Sequence, residues 1–472
     1  MRKMKNSESI VPHTFEVHNP ATGEVLEHVH NMGAIEAEIA INRANKAFPE
    51  WSSKTGKERA IILRRWFELM RKNSDYLAEL MCKEQGKPLY EAKGEVSYAA
   101  SFLEWFSEEA KRVMGAIPSS TWGDKRMMVL KQPIGVCASI TPWNFPLAMI
   151  TRKVAPAIAA GCTIVIKPAE QTPLSALALA KLAKEAGVPD GVINVITADS
   201  ANSIEVGKVI CDSPIVRHLS FTGSTPVGKI LMRQSASTVK KLGLELGGHA
   251  PFIVFEDADL DAAVEGAMQS KYRNAGQTCV CSNRFYVHDS LYDGFVEKLG
   301  KASSELVVGN GLSDGVHQGP LIDEDAIQKV ESHIADAVKK GARLIAGGGR
   351  HKLGGLFFEP TVLADVKETM LIMREETFGP VVAITRFKSE EEVISAANNS
   401  EFGLASYFYS RDIGRIWRVA EALEYGMVGV NSGAISNEVA PFGGVKQSGL
   451  GREGSSWGMD EYLEMKYVCI GL

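Results

Sequence analysis

The feature that most constrains the fold is an alternation of short apolar runs with helical patterns. In the first half of the chain the apolar runs predict strands at Val136–Ile140, Thr163–Lys167, 192–196, 216–221 and 240–244. Helical patterns such as Pro173–Ala186 and 204–210 lie between them. Strands and helices that alternate at this spacing are typical of a parallel sheet covered by helices. The first series therefore predicts a doubly wound α/β domain.

A second alternating series follows the paired glycines Gly247 and Gly248. Its apolar runs predict strands at 252–255, 285–288, 383–387, Ala405–Tyr409 and 428–431. Helical patterns at 323–341 and 413–424 belong to this series. We therefore expect a second α/β domain, with the boundary at the two glycines.

The two ends of the chain differ from these series. Residues 33–115 carry helical patterns, including apolar stripes over 60–81 and 98–113. Residues 119–132 alternate more like a strand, and the tail 460–468 also has strand character. We expect 1–114 and 133–247 to form the first domain, 248–445 the second, and 115–132 with 446–472 a small β element.

Composition excludes several classes of protein. The chain has 472 residues, enough for two or three domains, and a net charge of −5 that predicts no nucleic-acid partner. No apolar run reaches membrane-spanning length, and the basic residues 1–5 lead into no signal-peptide core. Seven cysteines without framework spacing indicate a reducing cytoplasm, and ten histidines form no metal-ligand cluster, so no metal is expected.

Cys279 lies in the segment 271–284, KYRNAGQTCVCSNR, between a helical pattern and a strand-like run. Most cysteines are small buried hydrophobic residues, and that interpretation applies to Cys279 taken alone. A thiol in a turn between two elements can also reach a cleft and act as a nucleophile. Two further segments favour the catalytic interpretation.

Glu245 and Asn144 supply the other groups that a nucleophilic thiol needs. Glu245 is a carboxylate in an apolar, glycine-flanked run, where burial would raise its pKa and make it a general base near neutrality. Asn144 lies in the segment 141–146, TPWNFP, where a fixed amide can donate to an oxyanion. A surface glutamate and a polar turn residue are the alternatives.

These three segments, in this order, resemble those of the aldehyde dehydrogenase superfamily. The resemblance continues through EETFGP at 375–380 and PFGG at 441–444, and it covers nearly the whole chain. It implies two doubly wound Rossmann-like α/β domains, the first binding a dinucleotide and the second catalytic. It also implies that the small β element makes subunit contacts in a homodimer or homotetramer.

A cofactor site is expected at the segment 223–229, GSTPVGK, which follows a strand and begins a helix. It matches most of a P-loop, but Ile230 replaces the residue that would hold magnesium, so pyrophosphate binding at the helix N-terminus is favoured. Through the resemblance, the residues expected to bind the cofactor are Trp143, Asn144, Lys167, Glu170, Gly223, Ser224, Leu246, Glu376 and Phe378. Because Glu170 would repel a 2′-phosphate, we expect NAD to be preferred and NADP to remain possible.

The resemblance extends to the NAD(P)-dependent succinate-semialdehyde dehydrogenases through Cys281, MITRK at 149–153 and KYVC at 466–469. It implies oxidation of succinate semialdehyde to succinate through a thiohemiacetal and a thioester on Cys279, released by water that Glu245 activates. Arg152, Arg273 and Ser436 match positions that bind the substrate carboxylate. The alternative is that both arginines form structural ion pairs.

Other functions remain open from the sequence. The substrate is expected to be a small aldehyde carrying a carboxylate, and glutarate semialdehyde is the nearest alternative. A non-catalytic protein built on this fold is a further alternative. Cys281 is a redox candidate that could bridge to Cys279, although residues two apart in an extended chain have Cα atoms roughly 6.6 Å apart, near the upper limit for a disulfide.

Overall fold

A computed structural model describes residues 13–472, so the basic residues 1–5 lie outside the described part of the chain. The strands are β1 (Thr14–His18), β2 (Val25–His30), β3 (Lys125–Pro133), β4 (Val136–Ile140), β5 (Thr163–Lys167), β6 (Ile193–Val195), β7 (Val216–Thr222), β8 (Lys241–Glu245), β9 (Ala250–Val254), β10 (Ser282–His288), β11 (Arg343–Ala346), β12 (Thr361–Ala364), β13 (Val381–Phe387), β14 (Ala405–Tyr409), β15 (Met427–Val430), β16 (Gly449–Leu450) and β17 (Leu463–Gly471). The helices are α1 (Ala34–Ser53), α2 (Gly56–Lys72), α3 (Ser74–Gln85), α4 (Leu89–Glu109), α5 (Ala148–Ala160), α6 (Pro173–Ala186), α7 (Ser200–Asp212), α8 (Thr225–Ser235), α9 (Leu260–Tyr272), α10 (Tyr292–Ser304), α11 (Glu324–Lys339), α12 (Glu390–Asn398), α13 (Ile413–Ala422) and α14 (Trp457–Asp460). Within residues 13–472, no helix has the length and apolar character to cross a membrane.

The first series of strands forms a six-stranded sheet in the order β16-β8-β7-β4-β5-β6. Its strands are parallel except β16, which pairs antiparallel with β8. The five predicted strands are all present, with ends within about two residues of the expected positions, which is the usual uncertainty of element boundaries. The apolar strand β5 is buried along its whole length, as a central strand between two layers of helices requires.

The second series forms a seven-stranded sheet in the order β11-β12-β13-β10-β9-β14-β15. It is parallel except for β11 at one edge. The five predicted strands are confirmed, and two short strands, β11 and β12, were not predicted. Each has four residues, too few for a period-two pattern to be recognised, and β11 has two exposed positions among its four.

A third, two-stranded sheet pairs β3 with β17 antiparallel, from Leu463 opposite Pro133 to Gly471 opposite Lys125. The predicted strand over 119–132 begins at Lys125, so its first six residues are outside the strand. Because β16 also lies beyond residue 446, the C-terminal segment contributes both to this sheet and to the six-stranded sheet. The exact division into domains stays a prediction.

The helical stripe over residues 60–81 is divided between α2 and α3. Asn73 separates the two helices, and its side-chain Nδ2 donates to the Leu69 carbonyl at 2.8 Å. An asparagine side chain that bonds a carbonyl four residues earlier competes with the next backbone N–H of the helix. The apolar period runs through this break, which explains why the sequence predicts one continuous stripe.

The first sheet presents its functional segments at the carboxyl ends of parallel strands, and the second sheet presents Cys279 at the amino end of β10. Glu245 is the last residue of β8, and the loop before α8 follows β7. Cys279 lies between α9 and β10 of the other sheet. Ligands of open α/β sheets bind beyond the carboxyl ends of the strands, which agrees with the segments of the first sheet. The second sheet contributes Cys279 from the loop before β10, and this residue lines the same cavity as Gly223 and Ser224.

Candidate active site

Cys279 is held by a tight, strained turn at the end of α9. Asn274 and Ala275 both have left-handed backbone angles, with φ of 52° and 55°, which cost non-glycine residues free energy and persist where the surroundings enforce them. The Cys281 N–H then bonds the Thr278 carbonyl at 3.0 Å, and Cys279 itself is half-buried. The sequence correctly placed this thiol in a turn between a helix and a strand.

The surroundings of Cys279 favour the neutral thiol. Burial raises its pKa to about 12, Arg152 and Arg273 act in the opposite direction, and the carboxylates Glu376 and Glu245 add to the rise. Because the thiolate is the nucleophile, the site must remove a proton from Cys279 when the thiol reacts.

Glu245 is buried at the end of β8, and its Oε2 atom makes no hydrogen bond within residues 13–472. Burial and the neighbouring Glu453 raise its pKa well above the usual value, while Arg152 and Lys153 oppose the shift. A buried carboxyl with a raised pKa can exchange a proton near neutrality. This environment matches the prediction made from its apolar segment.

Asn144 is buried, and its side-chain amide is fixed by the loop before Cys279. Its Nδ2 atom donates to the Gln277 carbonyl at 3.0 Å. An amide nitrogen carries two hydrogens, so the second N–H remains available to an acceptor in the cleft. The geometry therefore allows Asn144 to donate to an oxyanion while the protein holds the other N–H.

A cavity of about 270 Å³ brings most of the predicted cofactor residues together with Cys279. Its lining consists of Pro142, Trp143, Asn144, Thr222, Gly223, Ser224, Leu246, Gly247, Cys279, Lys329, Glu376 and Phe378. The rings of Trp143 and Phe378 meet edge to face with centroids 5.7 Å apart. Lys329 is the lining residue with a charge that the sequence did not single out, because it lies among the other charges of the amphipathic helix α11.

One end of this cavity suits a phosphate group. Ser224 is the N-cap of α8 and its side chain makes no capping bond, so the first-turn N–H groups remain available to an anion. A Cβ atom at Gly223 would lie 2.4 Å from the Phe221 ring, so glycine is required at this turn. At the other end, Glu376 accepts a bond from the Gly248 N–H at 3.0 Å, and burial raises its pKa to about 7.

Lys167 and Glu170 do not line this cavity. They pair with each other at 3.4 Å beyond the carboxyl end of β5, with Lys167 buried and Glu170 half-buried. Strand ends of the same sheet carry these residues and Gly223, so one extended dinucleotide can reach both places. Within the described residues, no group of three or more His, Cys, Asp and Glu side chains is arranged to hold a metal ion.

The two arginines predicted to bind a carboxylate differ in their surroundings. Arg152 is buried, its Nε pairs with Glu453 at 2.5 Å, and its guanidinium stacks on Phe442 at 4.0 Å. Arg273 is half-buried with its guanidinium 5.0 Å from the Phe145 ring centroid, and within residues 13–472 it has no carboxylate oxygen in ion-pair range. Arg273 therefore differs from Arg152 in having no direct ion pair within those residues, although burial raises the pKa of Glu91 and the charge of Arg273 opposes that rise.

The third residue predicted to bind the carboxylate is Ser436, and Arg152 retains one free donor within residues 13–472. Ser436 is half-buried in the loop after β15. Arg152 keeps one donor, Nη2, without a hydrogen-bond partner in the described part of the chain. The ion pair of Arg152 agrees with the structural alternative for this residue, but its partner Glu453 lies 301 positions away, so no local pattern identifies it.

Comparison with known proteins decides the family. A family model described as the aldehyde dehydrogenase family matches residues 6–468. The chain belongs to the aldehyde dehydrogenase family. It is therefore an oxidoreductase, and its two Rossmann-like α/β sheets with a small β element are the fold of that family, as the sequence predicted.

Individual relatives of this aldehyde dehydrogenase are named for different aldehydes: glutarate semialdehyde, succinate semialdehyde and, in a Pseudomonas putida protein of 63% identity, 3-sulfolactaldehyde. It is 62% identical to a glutarate-semialdehyde dehydrogenase of Pseudomonas aeruginosa, over 97% of this chain and 94% of that protein. It is also 62% identical to an NADP-dependent succinate-semialdehyde dehydrogenase of Escherichia coli, again over 97% and 94% of the two chains. The crystal structure of a succinate-semialdehyde dehydrogenase from Burkholderia pseudomallei superposes with a TM-score of 0.96 at 64% identity, over 98% and 95% of the chains.

Cys281, the second cysteine of the segment 271–284, is more deeply buried than Cys279. Cys281 is buried, and its Sγ lies 3.5 Å from the Lys271 carbonyl oxygen. The bond between the Cys281 N–H and the Thr278 carbonyl makes residues 278–281 a turn, which brings Cys279 and Cys281 closer than an extended chain would. A disulfide between them stays a prediction.

Proposed function

We propose that this aldehyde dehydrogenase oxidises small aldehydes that carry a distal carboxylate, with succinate semialdehyde as substrate and NAD as preferred cofactor. The observation that carries the proposal is the half-buried guanidinium of Arg273, which has no salt bridge within residues 13–472 and lies six residues before Cys279 in the chain. Glu91 interacts with Arg273 through its charge but lies outside ion-pair range, so a substrate carboxylate in direct contact would add stabilisation. The remaining donor of Arg152 and the hydroxyl of Ser436 are proposed to complete the carboxylate site.

In the proposed reaction, the thiol proton of Cys279 passes to water in the cleft, and the sulfur bonds to the aldehyde carbon as the carbonyl π electrons move to its oxygen. The resulting oxyanion is stabilised by the second N–H of Asn144 and the backbone N–H of Cys279. Loss of a hydride from this thiohemiacetal leaves a thioester on Cys279. Water then attacks the thioester while the Glu245 carboxylate takes its proton, and the free acid leaves with regeneration of the thiol.

NAD, when bound, supplies the two-electron acceptor that takes the hydride. The residues proposed to hold it are the turn Gly223–Ser224 for its phosphates, Lys167 and Glu170 for the adenosine ribose, and Glu376 for the second ribose. Glu170 would lie beside the 2′-phosphate of NADP with like charge, although its ion pair with Lys167 reduces this repulsion. We therefore propose that NAD is preferred and that NADP is accepted less well.

Glutarate semialdehyde is the second candidate substrate. It has the same two functional groups, and a relative of 62% identity is named for it. One additional methylene group changes binding in an apolar pocket by roughly 1–3 kcal/mol, so the two substrates are distinguishable by kinetics.

A kinetic panel tests the proposal. Succinate semialdehyde, glutarate semialdehyde and butanal would be compared with NAD and with NADP, and kcat/KM should be highest for a carboxylated aldehyde with NAD. Arg273→Ala should lower kcat/KM for the carboxylated aldehydes at least about tenfold, because a charge-assisted hydrogen bond contributes roughly 1.5–3 kcal/mol, and should affect butanal far less.

The control is Arg71→Ala, since Arg71 is an exposed arginine near the Phe67 ring in α2. It should leave every substrate unchanged. A wild-type preference for butanal would overturn the substrate assignment. Equal losses for all aldehydes in Arg273→Ala would mean that this arginine supports the local structure instead of binding the carboxylate.

A further inference from the structure

A fully buried lysine, which the reaction above does not use, contacts the loop that carries Asn144. Lys87 precedes α4, and its Nζ donates to Glu95 Oε2 at 2.5 Å and to the backbone carbonyl of Asn144 at 2.8 Å. The same ammonium lies 4.0 Å from the Phe145 ring centroid. Burial lowers the pKa of Lys87 and the charge of Glu95 opposes this shift. The lysine is thus fixed by one carboxylate and directed at one carbonyl.

Glu95 extends the contact to the residues that follow Asn144. Its second oxygen, Oε1, accepts bonds from the N–H groups of Leu147 at 3.0 Å and Ala148 at 3.2 Å. These N–H groups belong to the start of α5, where a helix favours a negative charge. The Lys87–Glu95 pair therefore holds the segment 144–148 at two points, one at each end.

The same carbonyl of Asn144 is tied to the loop that carries the nucleophile. Asn274 Nδ2 donates to it at 3.0 Å and also reaches the Gln277 carbonyl at 3.3 Å. The Asn144 side chain in turn donates to Gln277, and Gln85 at the end of α3 donates to Asn274 Oδ1 at 2.9 Å. The backbone of Asn144 and the turn before Cys279 are therefore held in one buried hydrogen-bond network.

We infer that Lys87 is a positioning residue for the oxyanion site. By holding the Asn144 carbonyl, it sets the direction of the Asn144 amide toward the atom that Cys279 attacks. This inference rests on the proposed role of Asn144 as an oxyanion donor. A buried ion pair adds little net stability, because desolvation offsets the attraction, but it fixes geometry, and a shift of about 1 Å in a reacting group can cost about a hundredfold in rate.

The test replaces the ion pair by neutral groups of similar shape, Lys87→Met with Glu95→Gln. Changing both residues avoids leaving one buried charge unpaired, and a glutamine oxygen can still accept from the start of α5. We expect kcat to fall at least about tenfold with KM little changed, because removing an oxyanion donor outright costs about a hundred- to a thousandfold. The loss should be the same for every aldehyde that the wild-type enzyme oxidises, so the result does not depend on which substrate is confirmed.

Two measurements separate positioning from general support of the fold. Alkylation of Cys279 by iodoacetamide needs no oxyanion donor and should keep its wild-type rate. In an Asn144→Ala background, the paired replacement should lower the residual rate less than about twofold, because the residue that Lys87 positions is already gone. Lys93→Met, an exposed lysine of α4 paired with Asp75, is the control and should change nothing.

The inference is overturned if the paired replacement lowers the rate equally with and without Asn144, or if alkylation falls together with turnover. If the paired variant does not fold, Lys87→Arg keeps a charge beside Glu95 but moves the donor away from the carbonyl. That variant should lower kcat at unchanged KM, and wild-type turnover would equally overturn the inference.

Discussion

The surroundings of Cys279, Glu245 and Glu453 shift the pKa values of these three residues in different directions. Burial raises the pKa of Cys279 to about 12, and burial together with Glu453 raises that of Glu245. Burial also acts to raise the pKa of Glu453, but Arg152 and Lys153 outweigh it and hold the value at about 2. Glu453 therefore stays ionised as a fixed partner of the two cations, while Glu245, like Glu376, can exchange a proton near neutrality.

The raised pKa of Cys279 predicts the pH dependence of its reactivity. Below that pKa the neutral thiol dominates, and the thiolate fraction grows about tenfold with each pH unit, so alkylation without cofactor should accelerate continuously up to about pH 9. The measurement is the iodoacetamide rate against pH, corrected with Cys279→Ala for the exposed thiol of Cys469. A plateau between about pH 7 and 8 would show that the thiol is far more acidic than its surroundings imply.

At the scale of elements, the sequence predicted ten core strands because each is an apolar run between turn residues. Strands such as Val136–Ile140 and Thr163–Lys167 lie at their predicted positions. The short strands β11 and β12 escaped prediction because four residues give no recognisable period, and Asn73 divided a helix whose apolar stripe is continuous. Local sequence patterns thus identified the strands of the two large sheets. They missed short strands and a helix break that depend on tertiary packing.

The candidate site was predictable to the extent that its residues lie at the ends of elements. Cys279, Glu245 and Asn144 each follow or end a recognisable pattern, and the structure places each of them in or beside one cleft. Glu453 and Lys87 were not predicted, because their importance comes from partners far away in the sequence. A single sequence contains no direct sign of such pairs.

Gly248, in the connection between β8 and β9, packs directly against the backbone of Cys279. A Cβ atom at Gly248 would lie 2.2 Å from the Cys279 carbonyl oxygen, a backbone atom that cannot move without displacing the nucleophile. Gly248→Ala should therefore lose most turnover and lower Tm. Gly94→Ala in α4, where no heavy atom lies within 4 Å, should keep full activity and gain about 0.5–1 kcal/mol of stability. Wild-type kcat/KM and Tm in Gly248→Ala would refute this packing argument.

At the scale of the whole molecule, the β3–β17 sheet carries apolar side chains that this chain leaves exposed. Met465 and Tyr467 share one face of β17 and are 75% and 56% exposed, and Ile470 and Leu472 are also exposed in this segment. Clustered exposed apolar side chains mark interaction surfaces in soluble proteins. We expect this sheet to make the subunit contacts of a homodimer or homotetramer.

Sedimentation can measure that assembly. The wild-type protein should have a mass of two or four chains, and Met465→Asp with Tyr467→Asp should reduce it, since burying two new carboxylates at an interface is unfavourable. Ile35→Asp, an exposed apolar position in the first turn of α1, is the control and should leave the mass unchanged. A monomeric wild type, or an unchanged mass in the double variant, would contradict this assignment.

In the proposed reaction, the substrate is oxidised while it is bound to Cys279 and is then released by water that Glu245 activates. The most direct measurement mixes Glu245→Gln with succinate semialdehyde and NAD, follows reduced cofactor, and maps the quenched protein by mass spectrometry. We predict a burst of reduced cofactor comparable to the amount of enzyme, slow turnover afterwards, and a succinyl group attached to Cys279. Steady turnover near the wild-type rate, or no burst with Cys279 unmodified, would contradict the account.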